Sequence, residues 1–96
     1  LAHPAIQEEV MKFTAALIKE QNAVFAVVIV KQHVTQSARE AEQAAIAYQP
    51  HFPGIPIVLA SQDSRGTFQY RGRTDLAKFL AGVDPSRIPW KEYTLR

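Results

Sequence analysis

Eight consecutive residues, Ala23-Val24-Phe25-Ala26-Val27-Val28-Ile29-Val30, contain no polar side chain, and this run constrains the fold more than any other feature. A strand with one wet face alternates apolar with polar residues. A strand covered on both faces reads instead as an unbroken, β-branched run. The run is also far shorter than the roughly 20 residues that a bilayer-spanning helix needs. It therefore predicts a central strand of a sheet with helices nearby.

A second buried strand is expected at Ile57-Val58-Leu59-Ala60. Between the two runs, Ser37-Ala38-Arg39-Glu40 has capping-box spacing, a hydroxyl followed three residues later by a carboxylate. A helix should start there, with Ala38, Ala41, Ala45 and Tyr48 on its inner face. It should end before "QPHFPGIP", whose prolines and glycine cannot continue it. Strand, helix and strand make a βαβ unit, which implies parallel strands and a right-handed connection.

The flanking segments complete the expected topology. Ile6, Val10, Phe13 and Leu17 recur at spacings of four, three and four, which predicts an opening amphipathic helix, with Pro4 at its start and Asn22 as its cap. Asp63-Ser64-Arg65-Gly66 is turn chemistry. Thr67 to Arg71 then alternates as a hairpin partner, with Gln69 on one side and Phe68 and Tyr70 on the other. Gly72 breaks that pattern, and Thr74 or Asp75 caps a helix burying Leu76, Phe79, Leu80 and Val83. Trp90, the only tryptophan, reads either as a plug on the core edge or as an exposed interface anchor. The expected fold class is α/β. A single domain over residues 1–96 carries a small mixed sheet of three strands, or four if Glu92–Leu95 pairs, with three helices in the order α-β-α-β-β-α.

From Gly54 to Leu80, "GIPIVLASQDSRGTFQYRGRTDLAKFL" resembles the C-terminal half of the thioredoxin fold. In that fold a Gly-Ile/Val-Pro step with a cis proline opens a strand, and a hairpin, a glycine and a final helix follow. The resemblance implies a cis Ile55–Pro56 bond. It does not imply redox chemistry, because the paired cysteines of thioredoxins have no counterpart in a chain with no cysteine, and only "LAHPA" stands where their first strand belongs. The implied protein is a trimmed or cysteine-less relative. A second likeness is to response-regulator receivers, through "AVVIV" and "PGIPIVLAS"; Lys31 or Gln32 stands where a receiver carries its phosphorylated aspartate.

Function is less constrained. The absence of cysteine excludes a disulfide framework, a thiol nucleophile and a cysteine-based zinc site, and fits a reducing, cytoplasmic setting. The opening "LAHPAIQEEVMKF" places two glutamates before any apolar block and does not read as a signal peptide. His3, His33 and His51 lack metal-ligand spacing, and "QHVTQSAR" is no phosphate loop, so neither metal nor cofactor is expected. In an open α/β sheet, ligands bind beyond the carboxyl ends of parallel strands. Those ends gather Lys31, Gln32 and His33 with Ser61, Gln62 and Asp63 on one rim. Base, nucleophile and orienter are all represented there, but loop composition explains the same residues. Residues 1–60 carry a net charge of −1 and residues 61–96 a net charge of +3, the excess lying around Arg65, Arg71 and Arg73. That is a weak footprint for nucleic acid. The expected function is a non-catalytic protein-interaction module whose partner is another protein or a second copy of the chain, with no membrane. A small enzyme or ligand-binding domain using His33, Ser61 and Asp63, and a nucleic-acid binder using the three arginines, are the alternatives. The candidate binding residues are Lys31, His33, Ser61, Gln62, Asp63, Arg65, Arg71, Arg73 and Trp90.

Overall fold

The computed structural model describes residues 11–20 and 23–95. Its elements are strand β1 (Met11–Glu20), β2 (Ala23–Ile29), the single turn α1 (Gln32–Thr35), α2 (Ala38–Tyr48), β3 (Ile57–Gln62), β4 (Phe68–Arg71), α3 (Thr74–Ala81) and β5 (Lys91–Leu95). The strands form one sheet in the order β4-β3-β2-β1-β5. β2 and β3 run parallel, with Ala26 opposite Ile57 and Ile29 opposite Ala60, as the two apolar runs imply. The other three pairings are antiparallel.

This architecture overturns the expected fold class, since the described residues form a five-stranded sheet and Met11–Glu20, expected within a helix, is one of its strands. Phe13 and Leu17, assigned to an opening helix, lie on β1, which pairs with β2 on one side and β5 on the other. Ile6, Val10, Pro4 and Asn22 lie outside the described residues. The reason for the misreading is physical. β1 is covered on both faces, so Phe13 and Ala15 pack on one layer while Ala16 and Ile18 pack on the other. A strand apolar at both parities has no clean period of two, and a subset of its positions then matches a helical stripe. The tail also pairs: β5 adds to β1, with Tyr93 opposite Phe13.

Helices cover the sheet on both sides. On one face α2 and Phe52 close over Phe13, Ala15, Ala26, Val28 and Leu59. On the other, Leu76 and Leu80 of α3, with Ile88 from the following segment, close over Ala16, Phe25, Val27, Val58 and Ala60. The start of α2 forms half a capping box. Ser37 Oγ accepts from the Glu40 amide, while the Glu40 carboxylate turns outward to His33. Ala41 is buried as expected and Ala44, Ala45 and Tyr48 are half-buried, but Ala38 is exposed. Arg73 occupies the cap position of α3 with no side-chain cap bond, in place of Thr74 or Asp75.

Pro56 precedes β3 rather than interrupting it. Its carbonyl accepts from the Ala26 amide and starts the parallel ladder, so the missing N–H costs nothing. Gln49 Nε2 ties the approach together by donating to the carbonyls of Phe52 and Ile55. The described chain has no cis peptide bond, so Ile55–Pro56 is trans, contrary to what the thioredoxin resemblance implies. Gly72 is required by proximity: a Cβ there would lie 3.1 Å from Val58 Cα and 3.2 Å from the Ile57 carbonyl.

Candidate functional site

β2 and β3 end side by side, so the rim deduced from the sequence exists. Its side chains, however, serve the fold. Ser61 is fully buried, and its Oγ lies 2.7 Å from Thr35 Oγ1, which itself donates to the Gln32 carbonyl. Since the Thr35 hydroxyl proton is used on Gln32, Ser61 is the donor in the pair. Arg71 Nη1 then donates to the Thr35 carbonyl at 2.9 Å. Together these bonds latch α1 onto the ends of β3 and β4. They leave Ser61 sealed from solvent rather than poised as a nucleophile.

The other rim residues are also engaged locally. Asp63 Oδ1 accepts from the Arg65 and Thr67 amides, the self-bonding typical of aspartate in a turn. Gln62 Nε2 donates to the Gly66 carbonyl across the same hairpin, and Gly66 supplies the turn's positive φ of 83°. His33 Nδ1 lies 2.7 Å from Glu40 Oε1 on an exposed surface. Its hydrogen-bond partner is thus Glu40 and not Ser61 or Asp63. Nothing in this set lines up a nucleophile, a base and an orienter within hydrogen-bond reach. Lys31 is exposed at the start of α1, beside an open cleft of about 500 Å³ whose wall includes Phe13, Val34 and Tyr48. Among the described residues no group of three or more His, Cys, Asp or Glu gathers to hold a metal, and no helix is long and apolar enough to cross a membrane.

The arginines do not act as a unit either. Arg73 forms a two-pronged pair with Asp75 at 2.8 and 2.9 Å. That hydrogen bond holds the Asp75 carboxyl down to about 2 and pushes the Arg73 guanidinium up. Both groups are exposed, so solvent screens the pair and it contributes little to stability. Arg71 is turned to Thr35, and Arg65 is exposed in the hairpin turn. Between them, Phe68 and Tyr70 point to the core side of β4, as alternation requires. Their rings stack at 6.0 Å, and Trp90 stacks on Phe68 at 5.9 Å. Trp90 Nε1 donates to the Pro85 carbonyl, so this residue closes the core edge.

Three features escaped the sequence reading. Thr35 is buried and central to the latch, yet "HVTQS" offers no sign that its threonine turns inward. Leu17 and Val24 remain 44% and 39% exposed on the sheet face that α2 covers elsewhere. Alternation of the β1 stretch as a strand would have placed Leu17 on that face. The third is the Tyr70 hydroxyl, which is buried with no hydrogen-bond partner among the described residues, and burial pushes its pKa up. An unpaired buried hydroxyl costs stability, so Tyr70→Phe should raise the unfolding free energy by about 1 kcal/mol. Urea unfolding of the two proteins measures this, and a loss of stability would show that the hydroxyl has a partner. Compared with known proteins, the chain matches no family model, no curated protein and no solved structure.

Proposed function

We propose that this protein is a non-catalytic protein-interaction module, acting in a reducing, cytoplasmic setting and associating through the end of the α2-side sheet face that no described helix covers. The observation that carries this reading is the pair Leu17 and Val24. Register places Leu17 opposite Ala26 and Val24 opposite Lys19, so the two are diagonal neighbours on one face. Diagonal pairs on a sheet stand roughly 7–8 Å apart, close enough to act as one apolar patch. Two side chains make the centre of an interface and not its whole area, which for a stable complex is about 800 Å² per partner. The engagement of Ser61, Asp63 and Arg71 in internal hydrogen bonds weighs against the enzymatic alternative at the rim. The Arg73–Asp75 pair and the inward-turned rings of Phe68 and Tyr70 weigh against nucleic acid.

The simplest partner is a second copy, because one apolar patch used twice about a two-fold axis is self-complementary. The expected result is a reversible dimer in sedimentation equilibrium that Leu17→Glu converts to a folded monomer. A wild-type chain that stays monomeric at every concentration tested, or a dimer that survives Leu17→Glu, removes self-association through this patch.

A further inference from the structure

β4 is an edge strand: in the sheet order nothing pairs on its far side among the described residues. The Asp63 amide donates to the Thr67 carbonyl at 3.0 Å, so the Thr67 backbone faces β3. Antiparallel alternation then turns the backbones of Gln69 and Arg71 toward β3, and those of Phe68 and Tyr70 toward the open edge. Beside that edge, on the α3 side, lies a cleft of about 340 Å³ whose walls include Phe68, Tyr70, Leu80, Val83 and Pro85. Tyr70 is part of the wall, although its hydroxyl is buried. On the opposite side of β4 stand Gln69 and Arg71, opposite Ser61 and Leu59. Arg65 lies in the turn at one end of the strand and Arg71 at the other. Both are exposed and neither joins an ion pair among the described residues, although Arg71 spends Nη1 on the Thr35 carbonyl and offers only the rest of its guanidinium. The nearby carboxylates are spoken for, Asp63 by turn amides and Asp75 by Arg73.

We infer that the β4 edge docks an extended peptide segment in which apolar and acidic residues alternate. Open backbone groups on Phe68 and Tyr70 select a strand, since only another extended backbone matches their spacing. Because strand side chains alternate, one set of the guest's residues faces the cleft and is apolar. The other set faces the arginine side and is acidic. This inference rests on reading the chain as an interaction module, but it uses the edge opposite β5 and a surface separate from Leu17 and Val24.

The test is titration of the full chain with a short fluorescein-labelled peptide of alternating valine and glutamate, followed by anisotropy and by amide shifts in a ¹⁵N-labelled sample. Saturable binding with the largest shifts over Phe68–Arg71 is the expected result. Arg65→Glu should weaken it about fivefold by turning a rim attraction into a repulsion, while the variant itself stays folded because only the Arg65 backbone serves the turn. A peptide N-methylated at alternate backbone positions should not bind, and neither should one with lysine in place of glutamate. Absence of saturable binding overturns the inference. So do shifts centred on Lys91–Leu95, equal binding of the lysine peptide, or displacement by an oligothymidylate that shifts the same amides. Because Leu17→Glu leaves this edge intact, peptide binding by that variant separates failure of the dimer from failure of the docking edge.

Discussion

Phe25→Ala should lower the unfolding free energy by about 3–5 kcal/mol, the range for deleting a fully buried ring. Phe25 has no exposed surface and sits in the middle of β2, facing the α3 layer with Val27, Val58, Leu76 and Leu80. Its ring meets Phe79 edge to face at 6.3 Å, so truncation leaves a void and also removes an aromatic pair. A domain of this length is stabilised by roughly 5–14 kcal/mol, so the loss is about a fifth of the total or more. In a thermal melt it should appear as a drop on the order of 20 °C. The control is Ile46→Ala. That substitution removes apolar carbons, about half as many, from the outer face of α2, where Ile46 is 66% exposed, and should shift stability by no more than about 0.5 kcal/mol. A Phe25→Ala variant as stable as the Ile46→Ala variant would mean that β2 is not covered on the α3 side, and the two-layer description would fall with it.

The same burial explains what the sequence revealed and what it concealed. Ala23–Val30 and Ile57–Ala60 were legible because a run apolar at every position, bounded by turn residues and too short for a helix of its own, has few structural solutions. The Ser37 cap was legible because capping is local. The hairpin after β3 was legible because Asp63 bonds its own turn. β1 was not legible. Phe13-Thr14-Ala15-Ala16-Leu17-Ile18 is apolar at both parities, and what makes it a strand is pairing with Ala23–Ile29 and with residues almost eighty positions away in β5. No window of local sequence contains that information. The rim was half legible: parallel pairing does bring the ends of β2 and β3 together, as expected. The state of Ser61 there depends on Thr35, a residue whose neighbours carry no sign of its burial. Ser61 was read as available because serine in a polar loop usually is. In the fold it is the last buried residue of β3, where a hydroxyl must find a partner.

Thr35→Val should cost about 2 kcal/mol, although valine has nearly the shape of threonine. The substitution removes the acceptor for Ser61 Oγ and the donor to the Gln32 carbonyl, and it leaves the Ser61 hydroxyl buried with nothing to bond. An unpaired buried hydroxyl is penalised by its full desolvation, whereas a made hydrogen bond contributes only its small surplus over water. The asymmetry gives the double variant a distinctive signature. In Thr35→Val with Ser61→Ala neither polar atom of the pair remains, so the double variant should be more stable than Thr35→Val alone by about 1 kcal/mol. A thermodynamic cycle from urea unfolding of the wild type, both single variants and the double variant reads this coupling directly. Additive costs would show that Ser61 satisfies its hydroxyl elsewhere. Arg71 supplies an internal check, because its guanidinium bonds the Thr35 backbone carbonyl and not the side chain. That contact survives Thr35→Val, so α1 should stay seated on the rim and the measured cost should report the hydroxyl pair rather than loss of the turn. If amide exchange over Gln32–Thr35 rises to that of a frayed segment in the single variant, the hydroxyl pair is what holds α1 down, and the arginine bond alone is insufficient to close the rim.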